Sequence, residues 1–125
     1  MQPMPKDPAL EHIDALGGRQ FQAFPGQDHR SHITAHLNFM ATNMARNNPM
    51  VMASLEKNIF EHISLMAQEQ VELEFRNEMQ QMQQIQMMMQ QNPQMAQQMQ
   101  MQLMQMQQKI EARKAQLIAE MMENL

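Results

Sequence analysis

From Met79 to Gln108 the chain runs thirty residues without a charge, and twenty-five of them are Gln or Met. Such a stretch holds no acid, base, thiol or imidazole, so acid–base and nucleophilic chemistry are closed to it. Gln and Met are unbranched at Cβ and rank high in helix propensity. The stretch therefore predicts long helices with a flexible apolar face and neutral polar flanks. Nineteen of the 125 residues are Met, against five Phe and no Trp or Tyr. Met fills irregular gaps but specifies a unique packing poorly. A self-sufficient core is not expected, and buried area is expected to come from other copies of the chain or a larger assembly.

Charge narrows the choices further. The formal net charge of −4 argues against nucleic-acid binding through clustered Lys and Arg. Residues 41–78 carry three basic and six acidic groups, and residues 109–125 carry three of each. With no Cys in the chain there is no disulfide, thiolate nucleophile or Cys metal site, which fits a reducing compartment. The opening MQPMPKDPAL lacks the apolar run of a signal peptide. No window approaches about eighteen uninterrupted apolar residues, so no membrane partner is expected.

The fold class that follows is mainly α, with three parts: residues 1–48, 49–91 and 92–125. In the first part Asp7-Pro8 reads as an N-cap followed by Pro at the first helical position, and Gly17-Gly18 as the stop. Leu10, Ile13 and Leu16 supply this short helix with an apolar face. Arg19 to Phe24 alternates with period two and predicts one short extended strand, ended by Pro25-Gly26, that needs a partner strand. Asp28 or Ser31 caps a second helix with Ile33, Leu37, Met40 and Met44 on one stripe, ending near Asn47. Asn48-Pro49 opens a long amphipathic helix with Leu55, Ile59, Ile63, Met66 and Leu73 on its stripe, followed by Met79, Met82 and Ile85. Continuous to Gln91, it would span roughly 60 Å. Asn92-Pro93 kinks that helix or starts another. In the last segment Met99, Leu103, Met106, Ile110, Leu117 and Met121 follow the four-and-three spacing of a heptad seam, broken by Arg113. The long helices are thus expected to form a helical hairpin or a coiled-coil-like tail. Both stripes are the expected self-association surface.

Three groupings carry possible chemistry. His29, His32 and His36 fall on one helical face and could bind Zn²⁺. The plainer reading is a set of hydrogen bonds at a packed helix start. Met87–Met89, Met99–Met101 and Met104–Met106 resemble soft Cu(I) ligands, although Met at helical spacing more often packs. Glu69, Glu72, Glu74 and Glu78 read as a solvated helix face. No phosphate loop, nucleophile elbow or dinucleotide fingerprint occurs, so neither catalysis nor a cofactor is expected.

The segment Phe24-Pro25-Gly26-Gln27-Asp28-His29-Arg30-Ser31-His32-Ile33-Thr34-Ala35-His36-Leu37-Asn38-Phe39-Met40 resembles one found near the C-terminal end of tailed-bacteriophage portal proteins. The resemblance covers residues 8–78. It implies a ring, usually of twelve subunits, at one capsid vertex, through which double-stranded DNA enters and leaves. It also implies contacts with major capsid or scaffold proteins, a location in the virion and no catalytic residues. A complete portal subunit has several hundred residues, so this chain corresponds only to the wing end and the helical crown. Terminase docking maps to the clip, which lies outside that part. The competing expectations are a free-standing coiled-coil scaffold or adaptor and a Met/His metal-binding module.

Overall fold

In a computed structural model, which describes residues 4–125, the protein is mainly helical. The described residues contain six α-helices and one 3-10 turn: α1 (Pro8–Leu16), α2 (His29–Met40), α3 (Asn43–Arg46), α4 (Pro49–Glu74), α5 (Arg76–Gln91), the 3-10 turn Pro93–Met95, and α6 (Ala96–Glu123). None of these helices is long and apolar enough to cross a membrane. The described chain divides into two compact units, one ending at Met66 and the other beginning at Ala67.

Each Asx-Pro pair begins a helical turn. The Asp7 carboxylate accepts from the backbone N–H groups of Ala9 and Leu10, and Asn48 Oδ1 accepts from Val51 N–H at 3.2 Å. Both satisfy donors that a helix start leaves unpaired, while Pro loses nothing at a position whose N–H has no helical partner. At the far end of α1, Gly18 has φ +75°. Gly18 N–H donates to Ala15 O and Arg19 N–H to Asp14 O, closing the helix in the paired pattern of a Schellman motif.

The strand expected from Arg19 to Phe24 does not form, and no strand occurs among the described residues. Side chains take its backbone donors instead: Ala23 N–H donates to Glu61 Oε2 at 3.2 Å and Phe24 N–H to Gln27 Oε1 at 2.8 Å. Gly26, at φ +80°, then turns the chain into α2. The helix expected to run to Asn47 stops at Met40. Thr42 starts α3, its hydroxyl accepting from Ala45 N–H.

The apolar centre of the first unit contains Ala15, Ala45, Val51 and Leu55, with Phe21, Phe39, Met40 and Met52 packed against it. In the second unit Ala67 and Val71 pack with Ile110 and Leu117, joined by Phe75, Met79, Met82, Ile118 and Met121. The long helix expected from residue 49 to 91 is interrupted at Phe75 (φ −111°, ψ 26°). The bonds from Phe75 N–H to Val71 O and from Met79 N–H to Phe75 O persist, so the distortion is confined to one residue. That residue packs its ring into the apolar cluster beneath Lys109 Nζ, 5.7 Å from the ring centroid.

Candidate functional site

Helix α1 is turned the opposite way from its apolar pattern. Leu10, Ile13 and Leu16 are 52%, 55% and 41% exposed, whereas Glu11 is 1% exposed and Asp14 and Ala15 are buried. A helix that presents aliphatics to solvent and a carboxylate to the interior must be held by polar contacts, since an unpaired buried carboxylate costs several kcal/mol.

Those contacts come from a cluster that gathers all five His of the chain. Glu11 Oε1 lies 2.9 Å from His32 Nδ1 and 3.3 Å from His36 Nε2. His36 is fully buried, with Nε2 also 2.8 Å from Asn58 Oδ1 and Nδ1 2.8 Å from His12 Nε2. On the far side His29 Nδ1 and His62 Nδ1 meet at 2.8 Å. The rings of His32 and His62 lie with centroids 4.7 Å apart. The contacts fix most of the protons. Two acceptor oxygens at His36 Nε2 place a hydrogen there, so in the neutral ring His36 Nδ1 accepts from His12 Nε2–H, and His32 Nδ1–H donates to Glu11.

Two buried side-chain atoms among the described residues lack a hydrogen-bond partner, and both belong to this cluster: His62 Nε2 and Asn58 Nδ2. Burial, then the neighbouring His32 and His29, pushes the His62 pKa down to about 4. Burial, then His36, pushes that of His12 down to about 4 as well. Both imidazoles are therefore neutral at pH 7 and hold a lone pair on one nitrogen.

The motif residues before the cluster are its scaffold. Phe24-Pro25-Gly26 makes the turn, the Gln27 side chain closes it onto Phe24 N–H, and Asp28 caps α2. The cap accepts from Ser31 N–H at 3.2 Å and Ser31 Oγ–H at 2.7 Å, which holds the Asp28 carboxyl below its ordinary range. Helix α2 then carries His29, His32 and His36 inward on one face, all buried. The ligand atoms of Glu11, His32, His36 and His62 all lie within 4.8 Å of one another. The sequence-based trio thus splits: His32 and His36 join this set, while His29 stands behind His62.

Glu11, His12, Asn58 and His62 were not foreseen. Their signal is faint, because α1 offers two faces and the Leu10–Ile13–Leu16 stripe hides the one that carries Glu11 and Asp14. Asp14 takes an ion pair from Lys6 and another from Arg19 Nε at 2.8 Å, and these hydrogen bonds lower its pKa.

The expected self-association residues divide by burial. Leu55, Ile59 and Ile63 are buried by the chain itself, as are Leu103, Ile110 and Leu117. Met66, Met99, Met106 and Met121 are half-buried. Leu73 is exposed, and Ala67 and Val71 take the buried positions on its part of α4. Arg113 reaches across to Glu74 with Nε at 3.0 Å and Nη2 at 2.9 Å. In the acidic patch, Glu72 accepts from Gln68 and Glu74 pairs with Arg113. The Met groups at 87–89, 99–101 and 104–106 are exposed or half-buried along α5 and α6.

Compared with protein-family models, curated proteins and solved structures, the chain matches none.

Proposed function

We propose that this chain is a structural assembly element, the wing-end and crown part of a phage portal ring, lying at one vertex of the virion capsid. The observation that carries the reading is the outward stripe of Leu10, Ile13 and Leu16, on a helix whose other face is pinned by the polar cluster. The helix cannot roll to hide these side chains without expelling Glu11 from its partners. Covering them takes a neighbour. Full burial of such a side chain is worth about 1.5–3 kcal/mol, so covering three that are half-exposed yields a few kcal/mol per contact. Multiplied around a closed ring, that supports assembly.

In this reading α1 meets the adjacent subunit, while α5 and α6 fold back on each other as a helical hairpin. Leu103, Ile110 and Leu117 are already covered within the chain, which weighs against a coiled coil between copies. The reading assigns the element no catalytic step. It makes DNA a passing occupant held without sequence preference, and places capsid or scaffold proteins around the outside. The Gln surface of residues 79–108 suits that passage, because Gln hydrogen-bonds water yet offers no fixed cation to hold phosphates.

Light scattering with electron microscopy tests the proposal. Ring-shaped oligomers are expected, and Leu10→Asp with Ile13→Asp should reduce them to monomers that keep their helical circular dichroism. Dimers or trimers unaffected by that pair of substitutions would instead support a free-standing scaffold.

A further inference from the structure

We propose that Glu11, His32, His36 and His62 form a structural Zn²⁺ site that fastens α1, α2 and the first part of α4 together. The inference is independent of the ring reading. It begins with the donor set: three imidazoles and one carboxylate, all buried, from three separate helices. His32 and His36 are four residues apart on α2, so they share a face by helical geometry. Tetrahedral zinc with bonds of about 2.0–2.1 Å places its ligands about 3.3 Å from one another. His36 Nε2 and Glu11 Oε1 already stand at 3.3 Å, and the widest pair in the set is no more than 4.8 Å apart. Small side-chain rotations close that difference.

The unpaired atoms point the same way. His62 Nδ1 is engaged by His29, so Nε2 is the nitrogen left over, and it is buried with no partner. A zinc-bound imidazole needs its second nitrogen oriented by an acceptor. His62 has His29 Nδ1 for this, and His36 has His12 Nε2, each at 2.8 Å. On binding, the proton at the ligating nitrogen of His32 and of His36 moves to the other nitrogen of the same ring, and His12 shifts its own proton from Nε2 to Nδ1, so that its Nε2 accepts from His36 Nδ1–H. The inverted setting of α1 is a separate observation. Drawing a carboxylate inward while three aliphatics face solvent is reasonable if a cation lies beside it.

Nitrogen-rich ligation with one carboxylate selects Zn²⁺ over Ca²⁺ and Mg²⁺, which take oxygen ligands. Four protein donors leave no open coordination position, which defines a structural role rather than a catalytic one. A cleft of about 540 Å³, lined in part by Lys6, Glu11, Phe21, Lys57 and Glu61, borders the set at Glu11.

The test uses the full chain, stripped with chelator and titrated with Zn²⁺ by calorimetry. One Zn²⁺ per chain is expected, with a rise in Tm on the order of 10 °C when free Zn²⁺ exceeds Kd about a hundredfold. Mg²⁺ and Ca²⁺ should give no rise. Glu11→Gln and His62→Gln should each weaken Zn²⁺ binding by at least about tenfold, while Glu74→Gln leaves it unchanged. Co²⁺ in the unaltered chain should show the intense visible bands of tetrahedral coordination, a readout that survives if a variant fails to fold. The proposal is overturned if the unaltered chain binds no Zn²⁺, if Co²⁺ shows only weak octahedral bands, or if both folded variants bind Zn²⁺ as tightly as the parent.

Discussion

Replacing Glu11 with Leu sets two forces against each other. If apolar patterning fixed the setting of α1, Leu at this buried position would add apolar burial and stabilise the fold by about 1–2 kcal/mol. The structure leads to the opposite sign. Glu11 Oε1 is the acceptor for His32 Nδ1–H at 2.9 Å and faces His36 Nε2 at 3.3 Å. Removing it leaves the His32 donor buried and unpaired and weakens the surroundings of His36, which keeps Asn58 Oδ1. A buried donor stripped of its partner costs about 1–3 kcal/mol, and more where the lost partner was charged. With the longer His36 contact also lost the cost is about 2–4 kcal/mol, and subtracting the apolar gain of about 1–2 kcal/mol leaves Glu11→Leu destabilising by about 1–2 kcal/mol, a fall in Tm of about 5–15 °C for a unit of this size. Glu11→Gln should cost less, since its amide oxygen can still accept from His32. Urea unfolding followed by circular dichroism, in chelator so that no metal contributes, measures both. A midpoint raised by Glu11→Leu, or left where it was, would refute the reasoning.

Three further outcomes follow. In chelator, stability should fall as pH drops from about 6.5 toward 4: His12 and His62 have folded-state pKa values lowered to about 4, so unfolding takes up protons across that window; a urea midpoint flat between pH 7 and pH 5 would contradict this. Gly18→Ala should cost about 1 kcal/mol, because φ is +75° there although nothing crowds a Cβ, and thermal denaturation reads the change. Replacing Gln97, Gln98, Gln105 and Gln108 with Lys should slow DNA passage or raise DNA retention, and packaging assays in which neither changes would end the neutral-passage idea.

Local signals were readable in the sequence wherever the physics is local. Asp7-Pro8, Asn48-Pro49 and Asn92-Pro93 each mark a helical start, because the fixed φ of Pro, joined by a side-chain cap at Asp7 and Asn48 but not at Asn92, acts within four residues. The heptad positions Leu103, Ile110 and Leu117 are buried as their spacing suggests. Failures came where distant side chains decided the outcome. Period-two alternation at Arg19–Phe24 predicted a strand, but Glu61, thirty-eight residues beyond Ala23, takes one of its donors. Leu73 lay on the expected stripe, yet Val71 and Ala67 are the residues buried on that part of α4. His32 and His36 could be paired by their spacing alone. Nothing local connects them to Glu11, twenty-one residues before His32, or to His62 on another helix.

The central claim is that polar contacts aim the apolar stripe of α1 outward. Because the chain has no Cys, single substitutions can report on it without background. Thiol-labelling rates of Ile13→Cys and Ala15→Cys, taken at low concentration where the chain is monomeric, measure the two faces of the helix directly. The structure predicts fast labelling at position 13 and strong protection at position 15. Protection at 13 with free reaction at 15 would mean that the helix turns its aliphatics inward, and both the outward contact surface and the buried role of Glu11 would be lost.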